Sequence, residues 1–308
     1  MSDYRGQHFG NYQLTKLLGE GGYAQVYLGE QVFLKTKVAV KVLRAHLDEE
    51  KVKQFCFEAN TIARLEHPHI VRLLDFGVEN AAPYLIIDYA PNGTLRQRHH
   101  QGIPIPLATV VSYVEQIAEA LDYAHQQKII HRDIKPENLL VGRKDEVLLS
   151  DFGIAVVAHQ TTSLTTQDGL GTISYVAPEQ LRSRPRPASD QYALAAVVYE
   201  WLTGSTLFQG SPIEVAMQHL EVSPPPMREV GNLFPADVEQ AIRRALEKQW
   251  QMRYTSVREF ANALHDASLP RPAFVHGPAE DVPGPLPEQI DSLDPAAEAE
   301  WPTTASVP

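Results

Sequence analysis

The sequence predicts an α+β protein of two lobes, because strand-like and helix-like patterns occupy different parts of the chain. Apolar residues alternate around glycines over residues 12–43, and two further apolar runs, 70–76 and 84–89, also read as strands. Beyond residue 90 the apolar residues recur mostly at helical spacing. A sheet-rich front joined to a helical back implies a cleft between lobes, where ligands usually bind.

Individual segments support this division. Residues 48–65 carry apolar side chains on one helical face, and His67-Pro68 is expected to end that helix. The longest amphipathic stretch is 107–127, and 192–202 is apolar enough to predict a buried helix, too short to span a bilayer. The helix around 192–202 is predicted to span 190–203, and further helices are predicted at 212–220, 236–248 and 256–267. The predicted organisation is an N-terminal segment (1–11), a first lobe (12–88), a second lobe (89–268) and a tail (269–308).

The C-terminal tail differs in composition from the rest of the chain. Of the 39 residues from 270 to 308, nine are proline and seven are acidic. Such a segment cannot bury enough apolar surface to offset the chain entropy lost on folding. We therefore expect it to be disordered.

The amino-acid composition favours some classes of protein and argues against others. A hydrophobic content of 44% and a charged content of 21% are ordinary for a soluble globular protein. The formal charge of −11 argues against nucleic acid as a partner, because phosphate binding needs basic surface. The single cysteine, Cys56, permits no internal disulfide and fits a reducing compartment. With no apolar stretch like a secretory signal and no membrane segment, we expect a cytoplasmic protein.

The most informative motif lies at residues 131–138, which read His-Arg-Asp-Ile-Lys-Pro-Glu-Asn, with Asp151 following thirteen residues after Asn138. Asp133 could accept the proton of an attacking hydroxyl. Asn138 and Asp151 offer the hard oxygen ligands that suit Mg²⁺ held largely by phosphates and water. These are the parts that phosphoryl transfer needs. His131, beside two isoleucines, is interpreted as core packing.

A glycine-rich stretch at 19–26 lies between two predicted strands. Glycines let a hairpin backbone approach phosphates closely, although this stretch alone could equally be an ordinary turn. It precedes a strand rather than a helix and lacks a Gly-Lys-Ser ending. That argues against a dinucleotide fingerprint and a P-loop.

Lys41 lies in an apolar strand and shares a face with Ala39 and Leu43. Such a lysine either sits on an edge strand or needs an anionic partner. We favour a partner, and Glu58 on the following helix is the obvious one. The pair could hold the ammonium group against the phosphates of a nucleotide.

Together with Ala-Pro-Glu at 177–179, these motifs resemble those of the eukaryotic-type protein kinases, particularly the bacterial serine/threonine branch, over about residues 10–268. The resemblance implies a bilobal kinase fold. It also implies ATP and Mg²⁺ (or Mn²⁺) as cofactors. The expected reaction is transfer of the γ-phosphoryl group to serine or threonine hydroxyls of proteins.

The resemblance also assigns roles to individual residues. Asp133 would be the catalytic base, Lys135 would contact the γ-phosphate, and Thr172 would lie in the segment 171–179 that seats the substrate. Asn138 and Asp151 would bind the metal. Asp190 would anchor the catalytic loop, and Glu179 would pair with Arg253. The nucleotide site would comprise Leu18, Gly19, Glu20, Gly21, Gly22, Val26, Ala39, Lys41, Glu58, Ile87, Asp88, Ala90, Glu137 and Leu140.

Regulation is inferred from charge. Arg132 could receive a phosphate made on the loop before Glu179. That loop contains the hydroxyl residues Thr161, Thr162, Ser163, Thr165 and Thr166. We predict autophosphorylation there, with Thr165 or Thr166 as the favoured sites, although the loop could simply be solvated.

Two further interpretations concern partners. Besides protein substrates and the chain itself, a transient homodimer is suggested by analogy alone. Cys56 and Phe57 stand where the first helix often carries charge, and they either pack locally or form a partner surface. Two other functions are possible for such a fold, a pseudokinase scaffold and a small-molecule phosphotransferase. A pseudokinase scaffold would usually lack the lysine, the base or a metal ligand, and a small-molecule phosphotransferase would lack the peptide-seating segment.

Overall fold

The computed structural model describes residues 3–22, 24–44, 48–79, 81–152, 173–227 and 234–270. Within them, a sheet with one helix is followed by a mainly helical part. The predicted two-lobe architecture is therefore confirmed. Thr172, the hydroxyl residues at 161–166 and the tail from 271 onward lie outside the described residues.

Within the described ranges, the main sheet has six antiparallel strands in the order β1-β2-β3-β4-β6-β5. The strands are β1 (His8–Phe9), β2 (Tyr12–Glu20), β3 (Ala24–Gln31), β4 (Lys37–Leu43), β5 (Leu73–Glu79) and β6 (Ala82–Asp88). Lys41 lies in β4, opposite Val26 of β3 on one side and Leu85 of β6 on the other. Because β4 is an interior strand, the edge-strand interpretation of Lys41 is wrong.

Helix α1 (Glu49–Ile62) begins at Asp48, whose side chain accepts a hydrogen bond from the Lys51 amide. Phe55 and Ala59 are fully buried against residues of the sheet. Cys56 packs against the same cluster, whereas the Phe57 side chain next to it is 73% exposed. Local packing thus accounts for Cys56 and not for Phe57.

The second part of the chain is mainly helical, and one of its helices is buried on all sides. The helices described there are α2 (Leu95–Arg98), α3 (Leu107–Gln126), α4 (Pro178–Leu181), α5 (Pro187–Thr203), α6 (Pro212–Glu221), α7 (Ala236–Ala245) and α8 (Val257–Ser268). Every residue of α5 from Ser189 to Thr203 is buried. This confirms the buried helix predicted over 192–202 and explains why that helix has no polar face. Among the described residues, no helix has the length and apolarity needed to cross a bilayer.

One strand begins later than predicted because its first residues pair elsewhere. Ile70 bridges Leu149, and the Val71 amide donates to the Leu149 carbonyl at 2.9 Å. Leu149 belongs to a small hairpin, β7 (Leu139–Val141) and β8 (Val147–Leu149), which the sequence patterns did not reveal. This contact links the chain before β5 to the part that carries the 131–138 motif.

Candidate active site

The 131–138 segment folds into a compact loop that ends in a short 3₁₀ turn, Pro136–Asn138. The Asp133 carboxylate receives two donors at the same oxygen, Oδ2: Lys135 Nζ at 2.9 Å and Asn138 Nδ2 at 2.9 Å. Asn138 Nδ2 also donates to the Asp133 carbonyl at 2.8 Å. Burial disfavours the charged form of Lys135, but the Asp133 carboxylate outweighs it and raises the pKa of Lys135. The predicted base, γ-phosphate lysine and metal-binding amide are therefore in one cluster.

The side chain of Asp190, near the start of α5, hydrogen-bonds to the backbone of this loop. Its Oδ1 accepts the Arg132 amide at 2.8 Å, and its Oδ2 accepts the His131 amide at 2.9 Å. His125 Nε2 lies 2.7 Å from the same Oδ2. Arg132 has a φ of 69°, a left-handed conformation that a non-glycine residue keeps only when its surroundings hold it. Asp190 supplies that support, as the resemblance implied.

His131 is fully buried and packs against Phe152, with ring centres 4.6 Å apart. The Asp133 amide donates to its Nδ1, so its Nε2 carries the hydrogen that binds the Ser150 carbonyl at 2.7 Å. Burial lowers the pKa of His131, which keeps the ring neutral. Its contacts are structural, in agreement with the interpretation as core packing.

Asp151 follows β8 and adopts a φ of 67°. Its Oδ1 lies 2.8 Å from Lys41 Nζ, which joins the sheet to the loop after the hairpin. Burial favours the neutral acid, but Lys41 outweighs it and the pKa of Asp151 lies below its ordinary value. The carboxylate is thus ionised at neutral pH, as a metal ligand requires.

The expected ion pair between Lys41 and Glu58 is not formed in this structure. Lys41 binds Asp151 instead, and Glu58 Oε1 accepts a hydrogen bond from Gln54 on its own helix at 3.2 Å. Glu58 Oε2 is buried without a hydrogen-bond partner among the described residues. Burial raises the pKa of Glu58. The prediction failed because partner choice depends on where α1 docks against the sheet, which strand and helix patterns do not specify.

The glycine-rich stretch turns between β2 and β3, where the Gly21 amide donates to the Ala24 carbonyl at 2.9 Å. A Cβ atom built on Gly19 or Gly21 would meet no described protein atom within 4 Å. Packing of the protein therefore does not require glycine at these positions, and the space beside them is open for a ligand. The Glu20 side chain pairs with Arg44, so only its backbone remains for a phosphate.

The residues expected around adenine occupy neighbouring strands. Ala39 is buried and lies opposite Ile87 in the sheet. Leu140 lies in β7 and bridges Thr94. The Asp88 amide already donates to the Arg72 carbonyl at 3.0 Å, so Asp88 would contact a base through its own carbonyl. Ala39 thus lies in the main sheet and Leu140 in the small hairpin.

A partly buried ion network centred on Arg96 was not anticipated. Arg96 Nε donates to Glu137 at 2.8 Å, Nη1 to Glu200 Oε1 at 2.6 Å, and Nη2 to the Tyr175 hydroxyl at 2.6 Å. The Tyr175 hydroxyl itself donates to Glu200. The Glu137 side chain, assigned above to the nucleotide site, is therefore engaged by Arg96. Arg96 and Glu200 are 104 residues apart, so no local signal in the sequence joins them.

The described part of the substrate-seating segment, residues 173–179, ends in a buried ion pair. Arg253 Nη1 and Nη2 donate to Glu179 Oε1 and Oε2 at 2.8 and 2.9 Å. Arg253 also donates to the backbone carbonyls of Ala188 and Glu247. Burial opposes ionisation of Glu179, but Arg253 outweighs it and lowers the pKa of Glu179. The predicted pair is present. Thr172, in contrast, lies outside the described residues.

The donor set fits a divalent metal that is held mainly by a nucleotide. Asn138 uses its amide nitrogen for its hydrogen bonds, which leaves its amide oxygen as the ligating atom, and Asp151 supplies an ionised carboxylate. The described residues contain no group of three His, Cys, Asp or Glu side chains that could hold a metal ion by themselves. Two hard oxygen ligands suit Mg²⁺, which usually keeps phosphate and water ligands.

Comparisons with known proteins agree with this site. The family model for the protein kinase domain matches residues 12–266. The chain is 36% identical over 254 residues to the serine/threonine-protein kinase PrkC of Bacillus subtilis (81% of this chain, 39% of the relative). It is 38% identical over 300 residues to PknF of Mycobacterium tuberculosis (89% of this chain, 62% of the relative). A crystal structure of the PknI kinase domain of Mycobacterium tuberculosis, carrying one substitution, has a TM-score of 0.70 at 28% identity, covering 87% of this chain and 99% of that one.

A catalytic loop of this kind, facing a strand lysine between two lobes, defines the protein kinases as a class. The chain belongs to the protein kinase domain family, and the predicted kinase fold is confirmed. It spans 39% and 62% of the length of PrkC and PknF, respectively.

Proposed function

We propose that this protein is a serine/threonine protein kinase that transfers the γ-phosphoryl group of ATP to serine and threonine hydroxyls of proteins. The observation that carries the proposal is the cluster of Asp133, Lys135 and Asn138, facing Asp151 and Lys41. All five side chains that phosphoryl transfer needs are present, and the relatives PrkC and PknF are named serine/threonine-protein kinases.

The roles of the residues follow from their contacts. Asp133 carries its two donors on Oδ2, so Oδ1 is the oxygen that meets the acceptor hydroxyl and takes its proton. Lys135 and Lys41 bring positive charge to the place where negative charge accumulates on the transferred group. A divalent metal, held by Asn138 and Asp151, would neutralise phosphate charge when bound.

For this chemistry the ion pair between Lys41 and Asp151 would have to separate. Lys41 and Asp151 neutralise each other, whereas Lys41 would serve the phosphates and Asp151 the metal. Nucleotide and metal together would replace this pair and release Lys41 toward the Glu58 oxygen that has no partner among the described residues. We include in the proposal that autophosphorylation within 161–166 favours this change through Arg132, and that Thr172 assists acceptor binding.

The remaining partners are also proposals. The chain would act on proteins and on itself, and a transient homodimer through the α1 side would bring the loop of one copy to the cleft of another. The exposed Phe57 supports such a contact on that helix. A cytoplasmic location follows from the use of ATP and from a composition with one cysteine.

The test is transfer of labelled γ-phosphate from ATP, with Mg²⁺ or Mn²⁺, to the purified chain and to a generic basic protein. Lys41→Met and Asp133→Asn are compared with wild type, and we expect losses of about 10²–10⁴-fold for the base. Lys37→Met, on the exposed end of the same strand, and Asp122→Asn, on α3, serve as matched controls. Phosphate transfer that persists in both site variants would overturn the assignment of residues. A wild type that binds ATP without transferring phosphate would instead support the scaffold alternative.

A further inference from the structure

The side chain of His219, on helix α6, lies in the interior of the helical lobe. Val215 and His219 lie one turn apart on the buried face, and His219 is fully buried. Ile213 and Met217 lie on the opposite face and are 77% and 45% exposed. A fully buried imidazole must have partners for both ring nitrogens, since an unsatisfied polar group there is costly.

Both nitrogens of His219 are satisfied by residues far away in the sequence. Nε2 lies 3.1 Å from the Ser174 carbonyl, and Nδ1 lies 2.9 Å from the Tyr192 hydroxyl. A carbonyl can only accept, so Nε2 carries the hydrogen and Nδ1 accepts from the tyrosine. The Ser174 carbonyl thereby selects the tautomer, and the Tyr192 hydroxyl supplies the donor that Nδ1 then needs.

A half-buried lysine, Lys248, completes the cluster. Lys248 Nζ donates to the His219 carbonyl at 2.9 Å, to the Gln218 carbonyl at 3.2 Å and to the Tyr192 hydroxyl at 3.4 Å. Burial and this neighbouring ammonium lower the pKa of His219 to about 4, so the ring is neutral at neutral pH. Lys248 therefore binds the carbonyls at the C-terminal end of α6 and helps to keep the imidazole neutral.

The carbonyl that His219 holds belongs to the substrate-seating segment. Ser174 lies near the start of residues 173–179, and Glu179 at their end is held by Arg253. The Arg253 guanidinium lies over the Tyr192 ring at 4.8 Å. Both ends of the segment are thus tied to side chains that meet at Tyr192.

We propose that His219 is a positioning residue for the protein substrate, which fixes the backbone of Ser174 through its Nε2–H and thereby sets the shape of the segment that seats the acceptor. This inference rests on the proposed kinase function. The hydrogen-bond partners of the His219 ring belong neither to the catalytic loop nor to the pair of Lys41 and Asp151. Its loss should therefore change how the acceptor binds and leave the ATP site as it is.

The test compares His219→Leu, which fills the space without a donor, with His219→Gln, whose side-chain amide can donate to Ser174. Met217→Gln, on the exposed face of the same helix, is the matched control. Steady-state kinetics are measured with myelin basic protein as the acceptor, and ATP hydrolysis without acceptor is measured separately. Thermal unfolding shows whether each variant is folded.

We expect His219→Leu to raise the KM for the acceptor about tenfold, the scale of one lost buried hydrogen bond. The KM for ATP and the hydrolysis rate should stay within about twofold of wild type, and His219→Gln should recover most of the acceptor KM. If His219→Leu does not fold, Tyr192→Phe, which removes only the hydroxyl that partners Nδ1 of His219, is measured in the same way. For Tyr192→Phe we expect a rise in the KM for the acceptor that is smaller than in His219→Leu, with no change in the KM for ATP.

Two results would overturn the inference: an unchanged acceptor KM in the folded variant, or equal rises in the KM values for acceptor and ATP. A wild type that transfers phosphate to no acceptor would be a different failure, since it would overturn the proposed function itself. The two failures are therefore distinguishable in one experiment.

Discussion

Lys41 in the sheet and Asp151 after the small hairpin form an ion pair with 2.8 Å between Nζ and Oδ1. The pair joins the two lobes across the cleft and neutralises the two charges that a metal-bound nucleotide would use. The lysine therefore leaves Glu58, on the neighbouring helix, with a buried carboxylate oxygen that has no partner among the described residues.

Replacing Glu58 with glutamine should stabilise the nucleotide-free protein at neutral pH. Burial raises the pKa of Glu58, so its stabilising contribution is complete below the ordinary pKa of 4.5 and is lost as the pH rises through the higher folded value. Glutamine carries no charge and avoids this loss. We expect the melting temperature of Glu58→Gln to match wild type near pH 4 and to exceed it by roughly 2–4 °C at pH 8.

The control for this experiment is Glu50→Gln, on an exposed position of the same helix. It should show no such pH-dependent difference. Kinase activity of Glu58→Gln should fall, because the neutral amide pairs less well with Lys41 once nucleotide displaces Asp151. A variant that is less stable than wild type at pH 8 would contradict the view that the Glu58 carboxylate has no ionic partner among the described residues.

Replacing Asp190 with asparagine should impair catalysis, because the Asp190 side chain positions the backbone of the catalytic loop. Asparagine has a single acceptor oxygen, whereas Asp190 accepts two backbone amides and contacts His125. The strained Arg132 backbone would then lose part of its support. We expect kcat to fall about 10²-fold with a smaller change in the KM for ATP, the scale of a misplaced catalytic group.

Asp145→Asn is the matched control, since Asp145 is a mostly exposed carboxylate paired with Arg98. Its kcat should remain near that of wild type. If Asp190→Asn keeps full activity while remaining folded, the loop does not depend on this anchor.

Removing Arg253 should destabilise the helical lobe strongly. In Arg253→Met the Glu179 carboxylate would remain buried without its partner, which typically costs about 3–5 kcal/mol. Urea unfolding monitored by tryptophan fluorescence would measure the loss. The double variant Glu179→Gln with Arg253→Met should recover part of it, because no charge is then left buried.

For comparison, Arg258→Met removes an exposed arginine that lies 3.6 Å from Glu119. Exposed pairs contribute at most about 1 kcal/mol, so this change should be nearly neutral. Equal losses in the two single variants would show that burial of the Glu179 pair does not set its contribution.

Much of the fold was accessible from local patterns. The helix predicted over 107–127 is observed as Leu107–Gln126, and the apolar run at 192–202 lies inside the buried helix α5. The cluster of Asp133 and Asn138 was predictable because both lie in one short loop. The roles of Asp190 and Arg253 came from the resemblance to kinases, since nothing nearby in the chain indicates their partners.

The sequence by itself determined the two-lobe fold class and the chemical groups available for phosphoryl transfer, because periodicity and short motifs are local properties. Only the tertiary structure decided which charges meet. It paired Lys41 with Asp151 rather than Glu58, Arg96 with Glu200, and His219 with the Ser174 carbonyl. A change of about 1 Å in the distance between donor and acceptor decides whether a hydrogen bond or ion pair forms. That distance depends on how whole helices and strands pack against each other, which local sequence patterns do not specify.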